Sequence, residues 1–259
     1  MQYTKRFIVY LFHILLFLTP LIFFTKTSEL FEFNKIITVY FITTLIVCTW
    51  LIDMIYQKKI IFRHTLLDIP IALFLLSLTF STMVSVDVRT SLLGYYGRFH
   101  GGLTSYISYS ILYWAFVTYF DKKNTGNIIR TLLISTTIAA VYAALEHFGK
   151  SISCLFVDGT FSVNCWVQDV AFRVFGTFGQ PNWLAAWLVA IIPLTFVVKN
   201  PTKTAQSIML WLSTLFFTTL LFTKSRSGLL AFAISYILYL SFTLSKKRVT
   251  ALRPFLVVS

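Results

Sequence analysis

Acidic side chains are nearly missing from this chain: nine Asp and Glu among 259 residues, with charged residues of both signs making up only 12%. A soluble domain carries about 25% charged residues to cover its surface, so a water-soluble globule is ruled out. Cysteine is almost as scarce, at three residues. Without a Cys-x-x-Cys pair or clustered histidines, no zinc site of the usual spacing is expected. A P-loop is also missing, which argues against ATP use. The formal net charge is +13, yet neither a continuous basic face nor a nucleic-acid-binding module accompanies it, and nucleic acid has no support as a partner.

What the chain has in abundance is apolar: 57% hydrophobic residues and a mean hydropathy of +0.78. Runs of about 17 to 25 apolar residues mark candidate membrane spans. There are eight: Phe7 to Phe24, Ile36 to Ile52, Leu66 to Val84, Leu103 to Phe120, Ile128 to Leu145, Trp183 to Val198, Ser207 to Phe222 and Gly228 to Leu244, with RPFLVVS at the end opening a possible ninth. These runs show no two-residue alternation, and backbone groups in lipid must be paired internally, so helices are preferred over a barrel. The predicted fold is all-α: a polytopic transmembrane helix bundle of about eight spans, forming one integral-membrane domain over 1–259 with the lipid bilayer as partner. Pro20, Pro70 and Pro193 lie inside spans, where neighbouring helices tolerate a kink. The first span follows Lys5 and Arg6, but it is long for a signal peptide and has no small-residue cleavage site before Lys26, so it reads as retained.

Lys and Arg favour cytoplasmic loops. An N-terminus inside places Lys5, Arg6, Lys58, Lys59, Arg63, Lys122, Lys123, Lys199, Lys203, Lys246, Lys247 and Arg248 in the cytoplasm, against the shorter outer set Lys26, Lys35, Arg89, Arg98, Lys150, Arg173, Lys224 and Arg226. Cys48 falls within the second span, whereas Cys154 and Cys165 share the long outer loop 146–182, where a disulfide can persist. The segment CLFVDGTFSVNC looks like a β-hairpin. A turn on Asp158-Gly159 sets Cys154 against Val163, and a turn on Gly159-Thr160 sets it against Cys165; only the second register permits a bridge, and spacing alone does not choose between them.

Three apolar stretches begin on the outer side with an arginine among small or polar residues. Helix starts present unpaired N–H groups and a positive dipole end, so an arginine there suits an anion. In GYYGRFHGG, Gly94, Gly97, Gly101 and Gly102 allow close backbone approach and Arg98 could meet a phosphate; the bland alternative is an aromatic belt of Tyr95, Tyr96 and Phe99 with an arginine reaching water. In FRVFGTFGQPNW, Arg173 precedes turn residues Gly176 and Gly179, and Asn182 is expected to cap a helix starting at Trp183. In TKSRSG, Lys224 and Arg226 precede Gly228 on a tight connection. Arg matches phosphate better than Lys because its planar fork donates two parallel bonds.

The ordered set of Ser85, Asp87, Ser91, Gly94, Arg98 and Gly101, then FGTFGQPN with Trp183 to Ala186, then Ser225, Arg226 and Gly228 resembles the O-antigen ligase and O-antigen polymerase superfamily of bacterial envelope glycan enzymes, over roughly Leu66 to Leu244. The resemblance implies an inner-membrane transferase, without metal or nucleotide cofactor, that moves a glycan from undecaprenyl diphosphate at the periplasmic face to an acceptor sugar or protein. Arg98, Arg173 and Arg226, with Asn182, would bind the diphosphate. Family members carry further helices and a later outer loop with a histidine proposed to activate the acceptor; no residue here matches it, and a fragment ending at Ser259 is expected. His100, close to Arg98, is the one candidate base among the histidines, and its bland reading is a polar anchor. Glu146, Asp158 and Asp169 are further outer groups able to act as base or to orient a partner, while Asp87 reads as a helix cap or partner of Arg89. Two other classes stay open: a transporter or flippase for an anionic lipid or solute, which lacks an intramembrane charged path since only His13, Asp68 and Arg130 approach one, and a noncatalytic subunit docking a partner through its aromatic outer face.

Overall fold

A computed structural model describes residues 2–27, 29–196 and 202–256, and the side chains of these except 2, 122, 123 and 243–256. Val198, Lys199 and the last three residues of RPFLVVS lie outside the described residues, as do the side chains of Lys122, Lys123, Lys246, Lys247 and Arg248. The described residues form α-helices and short 3₁₀ turns, with no strand among them.

The chain is all-helical as expected, but the number of spans is not. Among the described residues only three helices are long and apolar enough to cross a membrane, Glu32–Gln57, Asn124–His147 and Lys203–Phe222, rather than about eight. An apolar run counted along the chain need not be helical throughout. Phe7 to Phe24 is helical only to Leu18, because Pro20 cannot continue the ladder. Trp183 to Val198 is α-helical only to Ile191 and continues as a 3₁₀ turn around Pro193. Asp68–Met83 has 16 residues, about 24 Å of helix against a hydrocarbon core of about 30 Å. These three membrane-length helices, together with a largely apolar exterior, support membrane association.

The chain packs as two compact units. The first comprises residues 1–135 and 177–179: α1 (Gln2–Leu18), α2 (Glu32–Gln57), α3 (Asp68–Met83), α4 (Val88–Leu93), α5 (Leu103–Tyr119) and the first part of α6 (Lys122–His147). Apolar residues at helical spacing make its core: Ile8, Leu11, Phe12 and Leu15 on α1 meet Ile36, Val39, Ile42, Ile46 and Trp50 on α2, with Ala115 and Tyr119 from α5. The phenyl rings of Phe12 and Phe120 pack edge to face at 5.2 Å. One buried carboxyl, Asp53, ties three helices together by accepting from Thr4 Oγ1 (2.8 Å), Gln57 Nε2 (2.9 Å) and Tyr119 OH (2.9 Å). Past the end of α1, Lys35 Nζ donates to the carbonyls of Thr19 and Ile22, both at 2.9 Å, which serves groups that the broken helix leaves unpaired.

The second unit comprises residues 136–176 and 180–259: the rest of α6, then α7 (Ile152–Val157), α8 (Pro181–Ile191), α9 (Lys203–Phe222) and α10 (Arg226–Leu256). The expected hairpin is absent. Residues 152–157 are helical, and Cys154 is nonetheless bonded to Cys165 across a separation of 11 residues with Cα atoms 5.5 Å apart. A helical turn followed by an irregular return brings the two Cα atoms within bridging range without any strand register. Cys48, in α2, is a free and exposed thiol. Reductant should raise the mass of the intact protein by two hydrogens, and a paired Cys154→Ser, Cys165→Ser variant should lose roughly 3 kcal/mol of stability for a loop of this size; an unchanged mass would remove the bridge.

Candidate functional site

Two helix starts in the second unit lie side by side. Gly228, in the first turn of α10, packs so closely on α8 that an added Cβ would come within 2.7 Å of Ala185 Cβ, itself in the early part of α8. The start of α10 is made by Ser225, whose Oγ accepts from Gly228 N–H at 3.1 Å, the usual N-cap arrangement. Arg226 is the exposed first residue of α10. The start of α8 differs from expectation: the helix begins at Pro181, not Trp183, and Gln180 is the N-cap residue, without a side-chain cap bond. Proline is well suited to the first helical position because its missing N–H has no role there. Asn182 therefore stands inside the first turn and does not cap it.

The segment that leads to α8 is held from three directions. Asp169 closes a turn, its Oδ1 accepting from Phe172 N–H at 3.0 Å and its carbonyl from Arg173 N–H at 3.1 Å. At the end of α6, His147 Nδ1 lies 2.9 Å from Ala171 O while its ring stacks on Phe222 at 3.9 Å. From α9, the Phe222 carbonyl accepts Val174 N–H at 3.3 Å and the Thr223 carbonyl accepts Arg173 Nε at 3.4 Å. The deepest anchor is Glu146, fully buried, whose Oε2 accepts Gly176 N–H at 2.7 Å and Phe175 N–H at 3.4 Å; Ser151 Oγ donates to its other oxygen at 3.5 Å. Ser151 continues to Ser153 and Tyr142, so the carboxyl sits in a paired polar network rather than alone.

This framework leaves a cleft of about 410 Å³ lined by Gln168, Asp169, Phe172, Arg173, Gln180, Pro181 and Asn182. Arg173 and Asn182, both expected at the site, line it together. The tie to Thr223 occupies one of the five N–H donors of the Arg173 guanidinium. Lys224, left-handed at φ 47°, lays its ammonium over the Phe172 ring at 2.9 Å, next to the cleft wall. Chemically, the cleft offers a guanidinium, a carboxylate and three amides around one aromatic face.

Arg98 belongs to the first unit, and there its guanidinium faces a carboxylate. Arg98 Nη1 lies 3.3 Å from Glu32 Oε1, and His100 Nε2 lies 3.3 Å from Glu32 Oε2, with Glu32 nearly buried at the start of α2. Burial, with Arg98 close by, pulls the His100 imidazole below its ordinary pKa. The loop around them is pinned by Tyr40, whose hydroxyl donates to Phe99 O at 2.9 Å and pairs with Ser105 Oγ at 2.8 Å. Asp87 caps α4 by accepting Thr90 N–H at 3.1 Å. Of the expected backbone glycines, Gly94, Gly179 and Gly228 mark close approaches, and Gly94, Gly101, Gly176 and Gly179 adopt positive φ. Among the described residues no group of three or more His, Cys, Asp or Glu is arranged to hold a metal ion.

Sequence reasoning gave no role to Glu32 or Gln168, took in Gln180 only as part of FGTFGQPN, and read Glu146 as a base or orienting group, not as the anchor of the Phe175–Gly176 backbone. Glu32 precedes its partners by a whole helix, so no local spacing points to it. No family model, curated protein or solved structure matches the chain.

Proposed function

We propose that this chain binds the donor of a lipid-linked glycan transferase of the O-antigen ligase and polymerase kind, in a bacterial inner membrane with the N-terminus in the cytoplasm. The observation that carries the reading is the cleft that Arg173 lines together with Gln180, Pro181 and Asn182, the residues that start α8. A guanidinium beside the positive end of a helix suits a diphosphate, and it would stabilise the charge that grows on the leaving group as the glycosidic bond to phosphate breaks. Arg226, opening the neighbouring α10, adds a second cation in the same unit. The Cys154–Cys165 bond fits an oxidising compartment outside the cytoplasm for this segment. The donor is then a glycan on undecaprenyl diphosphate, and the acceptor a sugar or a protein side chain.

Arg173→Lys separates charge from geometry, since a lysine keeps the positive charge but cannot make the planar paired contact. Glycan transfer from an undecaprenyl-diphosphate donor in proteoliposomes should fall at least about tenfold, through weaker donor binding, with helical content unchanged. Full transfer by this variant would remove Arg173 from the diphosphate site.

A further inference from the structure

Lys224 is the cation of TKSRSG that the donor-binding reading leaves without a task, and its backbone is unusual. It follows Thr223, the C-cap of α9, and takes the left-handed turn there at φ 47°, its N–H donating to Leu221 O at 3.0 Å. Glycine is the usual residue at such a helix exit because it has no Cβ to crowd the backbone. A lysine there carries a conformational cost that a plain turn does not require. The same exit is stitched to the cleft: Phe222 O accepts Val174 N–H at 3.3 Å, and Thr223 O accepts Arg173 Nε at 3.4 Å. From this anchored backbone the Lys224 ammonium reaches over the ring of Phe172, 2.9 Å from its centre, and Phe172 lines the cleft. Lys224 itself is exposed and stands outside the lining.

The charge of the cleft makes that position matter. Arg173 and Asp169 are its ionic lining groups, and their formal charges cancel. A diphosphate brings one ionised phosphate more than a lone guanidinium can neutralise, so a lining without net charge holds it poorly. We propose that Lys224 is the second phosphate ligand of this cleft: its ammonium leaves the Phe172 ring and pairs with one phosphate of the donor while Arg173 holds the other. This rests on the donor-binding reading above. An exposed ammonium over an aromatic ring is a weak tether, whereas a charge-assisted hydrogen bond to phosphate is among the stronger contacts a side chain makes. Exposed rotamers exchange in nanoseconds or less, so the ammonium is stored beside the cleft and released to the anion without delay. A lysine suits the role because it is a compact point charge on a flexible stem, able to follow a phosphate whose position the planar guanidinium has already set. Arg173 alone then serves a monophosphate, and the pair is needed for a diphosphate.

Lys224→Met is the informative variant, because it keeps an unbranched stem and loses the charge, and Lys224→Arg is its charge-retaining control. The full chain in lipid nanodiscs is tested for binding of undecaprenyl diphosphate and, separately, of undecaprenyl monophosphate at the same ionic strength. In Lys224→Met, diphosphate binding should weaken about tenfold while monophosphate binding stays within about twofold of the parent, and Lys224→Arg should stay within about threefold on both lipids. An equal loss on both lipids in Lys224→Met, or no loss on either, overturns the role of Lys224 and leaves Arg173 in the donor-binding reading. A diphosphate loss in Lys224→Arg as large as in Lys224→Met overturns it too, since charge is then not what the position supplies. Failure of the unsubstituted protein to bind undecaprenyl diphosphate overturns the donor-binding reading and this assignment with it.

Discussion

Glu146→Ala is expected to destabilise the second unit by about 3 kcal/mol or more, because it leaves two buried backbone N–H groups without their acceptor and opens a cavity beneath them. Each unmatched buried donor costs roughly 1 to 3 kcal/mol. The damage is not confined to stability. Phe175 and Gly176 immediately follow Arg173, so release of their N–H groups frees the turn that carries the guanidinium and Asp169. Denaturant unfolding in detergent should show the lowered midpoint, and limited proteolysis should cut between 168 and 180 earlier than in the parent protein. Glu146→Gln should be much milder, since its amide oxygen can still take the 2.7 Å bond from Gly176 and its NH₂ can reach Ser151. Equal midpoints for Glu146→Ala and the parent would show that the carboxyl is not the anchor of this segment.

Gly94→Ala carries the second large effect, in the first unit. At φ 90°, ψ −173°, Gly94 occupies a region that side-chain-bearing residues essentially avoid, at a cost of about 1 to 3 kcal/mol. Space is lacking as well: an added Cβ would lie 2.1 Å from the carbonyl oxygen of His100 and 2.5 Å from its carbonyl carbon. Because the obstacle is backbone, it cannot rotate away, and the turn holding Arg98 and His100 against Glu32 must shift. Gly97→Ala is the matched comparison. Gly97 also has positive φ, at 80°, but its Cβ position is open, so only the conformational cost applies. Thermal unfolding in detergent should rank Gly94→Ala well below Gly97→Ala, and equal midpoints would contradict the close packing of Gly94 on His100.

Several features were readable from residue order alone. The Ser225-Arg226-Ser227-Gly228 stretch announces a helix start, and the structure uses it so, because a serine hydroxyl three residues ahead of an N–H satisfies a local need with no help from elsewhere. Asp87 capping α4 is of the same kind. The segment from Arg173 to Asn182 was legible through its glycines and proline as a turn leading into a helix, although the capping role assigned to Asn182 was wrong: proline's preference for the first helical turn moved the start two residues earlier. The count of spans failed for a related reason. Hydropathy records where apolar residues are, but the ends of a helix depend on prolines and on which carbonyls find partners, as at Thr19 and Ile22, served by a lysine from the next helix.

Composition and periodicity by themselves determined that the chain is helical, apolar and unsuited to stand alone in water, since those properties follow from local backbone chemistry and from the shortage of charge. Only the tertiary structure decided which polar groups meet. Glu32 with Arg98 and His100, Glu146 with Gly176, and Arg173 with the Thr223 carbonyl are all juxtapositions made by helix packing and chain return. The partners within each set are separated by whole helices or irregular loops, and nothing in a single chain's order encodes a distance between side chains that only packing brings together.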